Sequence, residues 1–209
     1  MADVVVYGFS PSTYVRTVRL ALEEKGVAYG LEPAAPQSPE IEGKHPFGKI
    51  PAFRHGDVEL FETLAITTYI DRIFEGPDLR PDDPIELARM HQWIGAYSDS
   101  FYRPAVTIVI QRVAAPNRGQ VPDEEKIADQ IPATQKGCRV FDGALAGRDW
   151  LAGGRPTLAD LFLAPMVFYL MMIPESDELL SGLGNLERWY AAIAGRASFP
   201  ATAPDLTPA

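Results

Sequence analysis

The sequence predicts two folded parts, a small α/β domain of βαβ–ββα order followed by an all-α helical bundle. Three observations predict it. Across the first eighty residues, short apolar runs of strand type alternate with runs at helical spacing. Beyond residue 84 the strand signals nearly vanish while helical spacing persists. Between the two lies Pro77–Pro84, whose three prolines and three aspartates suit a linker. The expected boundaries are a first domain at 1–77, a linker at 78–84 and a helical domain at 85–209.

Each element follows from its own residues. Val4-Val5-Val6-Tyr7 is a β-branched run and reads as a buried strand. Val15, Val18, Leu20 and Leu22 recur at helical spacing up to Lys25, and Gly26 reads as a helix stop. Residues 27–31 suggest a second strand, and 33–48 a loop with one helical turn at most. Ile50-Pro51-Ala52-Phe53 opens a third strand. Gly56-Asp57 marks a tight turn into Val58-Glu59-Leu60-Phe61, completing a hairpin. Thr63 is placed to cap a helix through Leu64, Ile66, Tyr69, Ile70 and Ile73, ended by Gly76-Pro77. Further helices are expected at 85–114, with a kink at Pro104, and at 123–145, 157–173 and 186–197.

Charge and composition narrow the function. The chain has 209 residues, 46% of them hydrophobic, enough to form sizeable cores. Its net charge of −9 is spread along the chain: residues 1–80 carry 8 basic and 12 acidic side chains. Neither a nucleic acid nor an anionic membrane would be drawn to it. The longest apolar run, 161–173, is interrupted by Pro165 and is too short to span a bilayer. No leader is visible at the N-terminus. The single cysteine, Cys138, makes neither an intrachain disulfide nor a zinc site and fits a reducing, cytoplasmic setting. His45, His55 and His91 lack ligand spacing and read as ordinary surface or boundary histidines, so no metal is expected.

Three segments carry chemistry. Ser10-Pro11-Ser12-Thr13 lies between the first strand and helix, where a serine either caps the helix or offers a hydroxyl donor. His45-Pro46-Phe47-Gly48-Lys49-Ile50-Pro51-Ala52-Phe53 leads into the third strand. Phe61-Glu62-Thr63 precedes the second helix, and a helix N-terminus is a physically sound seat for a carboxylate. A fourth segment, Thr157-Leu158-Ala159-Asp160, reads as a capping box with aspartate in the glutamate role, a folding device.

In this order and spacing the segments resemble the glutathione S-transferase superfamily over almost the whole chain, and most closely its serine-type members, the phi, tau and theta-like classes. The resemblance implies a thioredoxin-like N-terminal domain and a homodimer. It also implies an enzyme that conjugates glutathione to hydrophobic electrophiles in detoxification, using no cofactor beyond glutathione as substrate. It places Ser12 on the catalytic serine, with Ser10 and Tyr7 as alternatives for the thiol-activating hydroxyl. It implies a cis bond at Ile50–Pro51, which would present the Ile50 backbone to the tripeptide. Lys49 would meet the glycyl carboxylate, and Gln37 would stand in for a His-Lys pair found in phi enzymes. Glu62 would receive the γ-glutamyl ammonium, and Thr63 the α-carboxylate. Phe47 would either insert into a partner subunit or pack locally. An electrophile pocket is expected beside Ser12, drawing on Tyr14, Arg103, Thr107 and Ile110. Because Ser12 stands where omega and beta relatives carry a cysteine, a mixed-disulfide reductase is disfavoured. A noncatalytic binding module and a glutathione-dependent isomerase or dehalogenase remain the competing readings.

Overall fold

The computed structural model describes residues 3–206, which form two compact units, 3–80 together with 196–206, and 81–195. The first unit opens with β1 (Val4–Tyr7) and α1 (Thr13–Glu24). Helix α1 ends where the periodicity placed its stop. Gly26 takes φ +67°, and the N–H of Val27 reaches back to the Leu22 carbonyl at 2.9 Å, a Schellman closure. Strand β2 (Gly30–Glu32) is only three residues long and begins later than the apolar run 27–31 suggests. Residues 33–51 run as turns and loop, followed by β3 (Ala52–His55), β4 (Val58–Phe61) and α2 (Thr63–Ile73).

The four strands form one sheet in the order β2-β1-β3-β4. Strand β1 runs parallel to β2 and antiparallel to β3, and β3 is antiparallel to β4. Side chains alternate across the sheet. Val6 and its partner Phe53 are fully buried, whereas Tyr7 packs with Ile50 against a small cluster of Ala34, Ile41 and Ala52. Helices α1 and α2 pack on each other, burying Leu20, Leu22, Ile66 and Ile70. Beneath them Lys25 and Asp71 form a buried ion pair at 3.0 Å. Asp71 also accepts Arg80 Nε and the Leu79 N–H, each at 2.7 Å, which fixes the exit toward the linker.

The second unit is entirely helical among the described residues. Helix α3 (Pro84–Ala96) is capped by Asp83, which accepts the N–H groups of Ile85 and Glu86. The helix continues through a π turn (Tyr97–Phe101), α4 (Tyr102–Val109), a second π turn (Ile110–Ala114) and the short α5 (Ala115–Asn117). The expected break at Pro104 is absorbed in this way. Proline cannot bond the carbonyl four residues back, and that carbonyl, of Ser100, lies in the widened turn where Tyr102 N–H already reaches to Tyr97. Helix α6 (Glu124–Ala144) crosses α4 closely because Gly137 leaves room for the Phe101 ring, which a Cβ would strike. Helices α7 (Leu158–Leu170), α8 (Ser176–Leu180) and α9 (Gly184–Ala194) complete the unit.

Helix α7 is buried along nearly its whole length. Its capping box between Thr157 and Asp160 forms as the sequence implies. Asp160 is fully buried and accepts four bonds, from Thr157 N and Oγ1, Leu151 N and Trp189 Nε1, at 2.8–3.0 Å. One carboxylate thus holds the helix start, the preceding loop and α9 together.

The domain boundary expected at 85–209 needs correction at its far end. Residues 196–206, with the short helix α10 (Ser198–Ala201), belong to the first unit and pack on α1. The reason is a set of polar anchors on α1, taken up below, that an apolar periodicity does not reveal.

Candidate functional site

The sheet register collects the chemistry-bearing segments at one edge. Tyr7, the last residue of β1, pairs with Ala52, the first of β3, which pairs with Phe61, the last of β4. The loop leaving Tyr7 carries Ser10 and Ser12, the segment entering Ala52 carries Lys49, Ile50 and Pro51, and Glu62 and Thr63 leave Phe61.

Ser12 is half-buried and is the N-cap of α1. Its oxygen accepts the Val15 N–H at a long 3.4 Å. A hydroxyl has two acceptor lone pairs and a rotatable proton, so this cap leaves the O–H able to donate outward. The α1 N-terminus behind it adds partial positive charge. The alternatives also act as acceptors, Ser10 Oγ of the Asp205 N–H at 3.0 Å and Tyr7 Oη of Arg54 Nε at 3.5 Å with Lys44 over its ring, but neither stands at the N-terminus of α1 as Ser12 does.

The 33–51 segment is stitched to itself by Gln37. With φ +62°, Gln37 gives its backbone N–H to the Gly48 carbonyl at 2.8 Å and its amide Nε2 to the Phe47 carbonyl at 2.9 Å. Gly48 sits at φ +60°, and a Cβ there would come within 2.5 Å of that amide. Beyond it, Lys49 is exposed, Ile50 is half-buried and the Ile50–Pro51 bond is cis, as the resemblance implied.

Glu62 occupies φ +68°, a left-handed backbone uncommon for a side-chain-bearing residue. Its carboxylate is exposed. Thr63 is corrected from helix cap to first helical residue: Glu62 is the N-cap, and no side chain caps α2. The first-turn N–H groups of α2 therefore face away from the helix with no side-chain acceptor, which suits an external carboxylate.

Sequence reasoning missed His45. It is 4% exposed rather than on the surface. Its Nδ1 accepts the Phe47 N–H at 3.2 Å, which leaves the ring proton on Nε2, 3.9 Å from the Glu62 carboxylate. Burial lowers its pKa, the Glu62 charge opposes that shift and Lys49 adds to it. The available signal was position: His45 begins the same segment that ends in Pro51. His55 is also partly buried, between Tyr69 Oη at 3.0 Å and Asp3 at 3.3 Å, whereas His91 is exposed.

Comparison with known proteins identifies the family of this fold. Residues 6–78 match the family model for the glutathione S-transferase N-terminal domain, and residues 124–192 the model for its C-terminal domain. Glutathione S-transferase 4 of Zea mays is 32% identical over 200 residues, spanning 92% of this chain and 88% of that one. The chain belongs to the glutathione S-transferase family. Two solved structures of this family superpose on it. The theta class enzyme of Xanthomonas axonopodis pv. citri with glutathione bound has a TM-score of 0.88 at 25% identity, covering 99% of this chain and 100% of that one. Glutathione S-transferase I from mais, in complex with an atrazine glutathione conjugate, has a TM-score of 0.84 at 26% identity, covering 95% of each.

The remaining candidates of this glutathione S-transferase divide between the units. Tyr14 is half-buried in the first turn of α1. Arg103, Thr107 and Ile110 lie in the second unit at helical spacing, with Thr107 Oγ1 bonded back to the Arg103 carbonyl at 2.8 Å. Arg103 and Ile110 are exposed. Cys138 is buried in α6, and burial pushes its thiol up to about 12, so it stays protonated and inert. Among the described residues no group of His, Cys, Asp and Glu is placed to hold a metal, and no helix is long and apolar enough to cross a membrane.

Proposed function

We propose that this glutathione S-transferase binds glutathione at the sheet edge, holds its sulfur as the thiolate with Ser12, and conjugates it to electrophilic small molecules. One observation carries the reading: the pairing of Tyr7, Ala52 and Phe61 in one register gathers Ser12, Ile50–Pro51 and Glu62–Thr63 at a single edge.

In this reading the uncapped α2 N-terminus, with Thr63, receives the γ-glutamyl α-carboxylate, and the exposed Glu62 receives the ammonium beside it. Ile50, just outside the ladder that starts at Ala52, pairs with the cysteinyl backbone in strand fashion. Lys49 reaches the glycyl carboxylate. Gln37 acts through the loop, since its amide already holds the Phe47 carbonyl, and so it positions Lys49 and Ile50.

A free thiol has a pKa of about 8.5 and is mostly protonated at neutral pH. The Ser12 O–H donated to sulfur, with the α1 dipole, favours the anion, and each pKa unit lowered corresponds to about 1.4 kcal/mol. The thiol proton leaves to solvent. The sulfur lone pair then forms the new C–S bond. In substitution the leaving group departs with its electron pair; in addition the neighbouring atom takes up a proton. Holding both reactants together supplies much of the remaining acceleration. Tyr14, in the first turn of α1 close behind Ser12, is assigned to the electrophile.

We assign the protein to the cytoplasm as a homodimer with a detoxifying role. Phe47, 66% exposed with its ring edge-on to His45, offers the aromatic key for a second copy.

Retention on immobilised glutathione followed by conjugation of an aryl halide tests the proposal. Both retention and turnover are expected. Retention with no turnover of aryl halides, epoxides or enones would reduce the protein to a binding module, and loss of both would overturn the reading.

A further inference from the structure

Helix α1 is gripped along its length by the returning segment 196–206. Near its end, Glu24 accepts Arg196 Nε at 2.8 Å and also the Ser198 hydroxyl. In its middle, Arg19 reaches the Thr202 carbonyl at 3.2 Å and the Ala201 carbonyl at 3.5 Å. One turn behind Ser12, Arg16 donates to the Phe199 carbonyl at 3.0 Å and lies 4.0 Å over the Phe199 ring. Arg16 is 1% exposed and Arg19 is 9% exposed. The carbonyls they hold lie in and just after α10, a short helix whose carbonyls turn to side-chain donors, the Thr202 hydroxyl also reaching the Phe199 carbonyl at 3.2 Å. The last bond of the series crosses to the active-site loop, with the Asp205 N–H donating to Ser10 Oγ at 3.0 Å.

The Ser12 backbone is held on both sides, its carbonyl by the Arg16 N–H at 2.9 Å and its N–H by the Phe9 carbonyl at 3.1 Å, whereas its hydroxyl has only the long 3.4 Å bond from Val15. The contact that ties that loop to the returning segment lies two residues earlier, at Ser10. We infer that Ser10 is a positioning residue, the latch through which the strap 196–206 holds the Ser10–Ser12 loop and aims the Ser12 hydroxyl. Ser10 does not touch the sulfur. Its oxygen serves the strap, and the strap is itself pinned by Arg16 and Arg19. This inference rests on Ser12 being the thiol-holding group.

A double-mutant cycle on the full chain tests it. Ser10→Ala removes the acceptor. Asp205→Pro removes the donor, because proline has no N–H. Each single variant is expected to lower kcat about two- to tenfold, the scale of one neutral hydrogen bond, with KM for glutathione changed by less than about twofold. The double variant should be no worse than either single one, since both break the same bond. Ser10→Thr should restore activity. The bond is exposed, so thermal melting should hardly move in any of these variants.

Additive losses, or a loss in Ser10→Ala with none in Asp205→Pro, would overturn the latch and make Ser10 act on the substrate directly. Full activity in both single variants would overturn it too. Ser12→Ala run alongside separates the two claims: if it keeps turnover while Ser10→Ala abolishes it, the Ser12 reading itself fails.

Discussion

The Nδ1 of His45 accepts the backbone N–H of Phe47 at 3.2 Å. This bond requires the neutral ring, and burial already disfavours the charged one. The folded pKa of His45 is therefore lower than the unfolded value of about 6.5. As pH falls below that value, the unfolded chain takes up a proton that the folded chain refuses, so stability decreases until the folded pKa is reached. Below it the ring is protonated, the Phe47 bond is lost and the loop leading to Ile50 slackens. We expect KM for glutathione to rise as pH falls through this lowered folded value, below about 6.5. In His45→Phe this histidine component should disappear from the pH profile, at a neutral-pH cost of about 1 kcal/mol in thermal melts.

Gln37 and Gly48 form the second loop contact. Gln37→Ala removes the bond to the Phe47 carbonyl and should raise KM for glutathione several-fold while leaving kcat nearly unchanged. Gly48→Ala should do more harm. Alanine at φ +60° costs about 1–2 kcal/mol, and its Cβ would displace the Gln37 amide. Steady-state kinetics with glutathione as the varied substrate, together with thermal melting, checks both.

The buried Lys25–Asp71 pair and its neighbour Arg80 make the first unit sensitive to one substitution. Asp71→Asn leaves the Lys25 charge without its counterion and should cost about 3–5 kcal/mol in urea unfolding. Burial alone would raise the Asp71 pKa, but the Leu79 N–H, Arg80 and Lys25 outweigh it and hold it below the usual carboxylate range. Its stabilisation is thus fully present above about pH 4 and is lost as pH falls through the lowered folded value.

Asp160→Ala should be at least as damaging to the second unit. It orphans the N–H groups of Leu151, Thr157 and Trp189 in a fully buried place, each worth about 1–3 kcal/mol when left unmatched. Loss of cooperative unfolding, or failure to accumulate folded protein, is the expected result.

Local patterns made much of this legible. The β-branched run at 4–7, the tight turn at Gly56-Asp57 and the Thr157–Asp160 box each declare their structure within a few residues, and all formed where expected. The cis bond at Pro51 came from the family resemblance, because an X-Pro bond read alone favours trans. What escaped notice depends on contacts far apart in the chain. Segment 196–206 is short and rich in alanine and proline, with no helical period of its own, and the placement of Arg16, Arg19 and Glu24 opposite it recruits it to α1. His45 read as an ordinary surface or boundary residue, and its burial depends on the fold of the whole loop. Thr63 gave way as cap because Glu62 could take the positive φ that ends β4 and starts α2.

The most direct measurement is the pKa of the thiol of bound glutathione, followed by the ultraviolet absorbance of the thiolate, in the wild type and in Ser12→Ala. The account predicts a depressed value in the wild type that rises toward the free-thiol value of about 8.5 in the variant, with glutathione still bound. An unchanged thiol pKa in Ser12→Ala would contradict it.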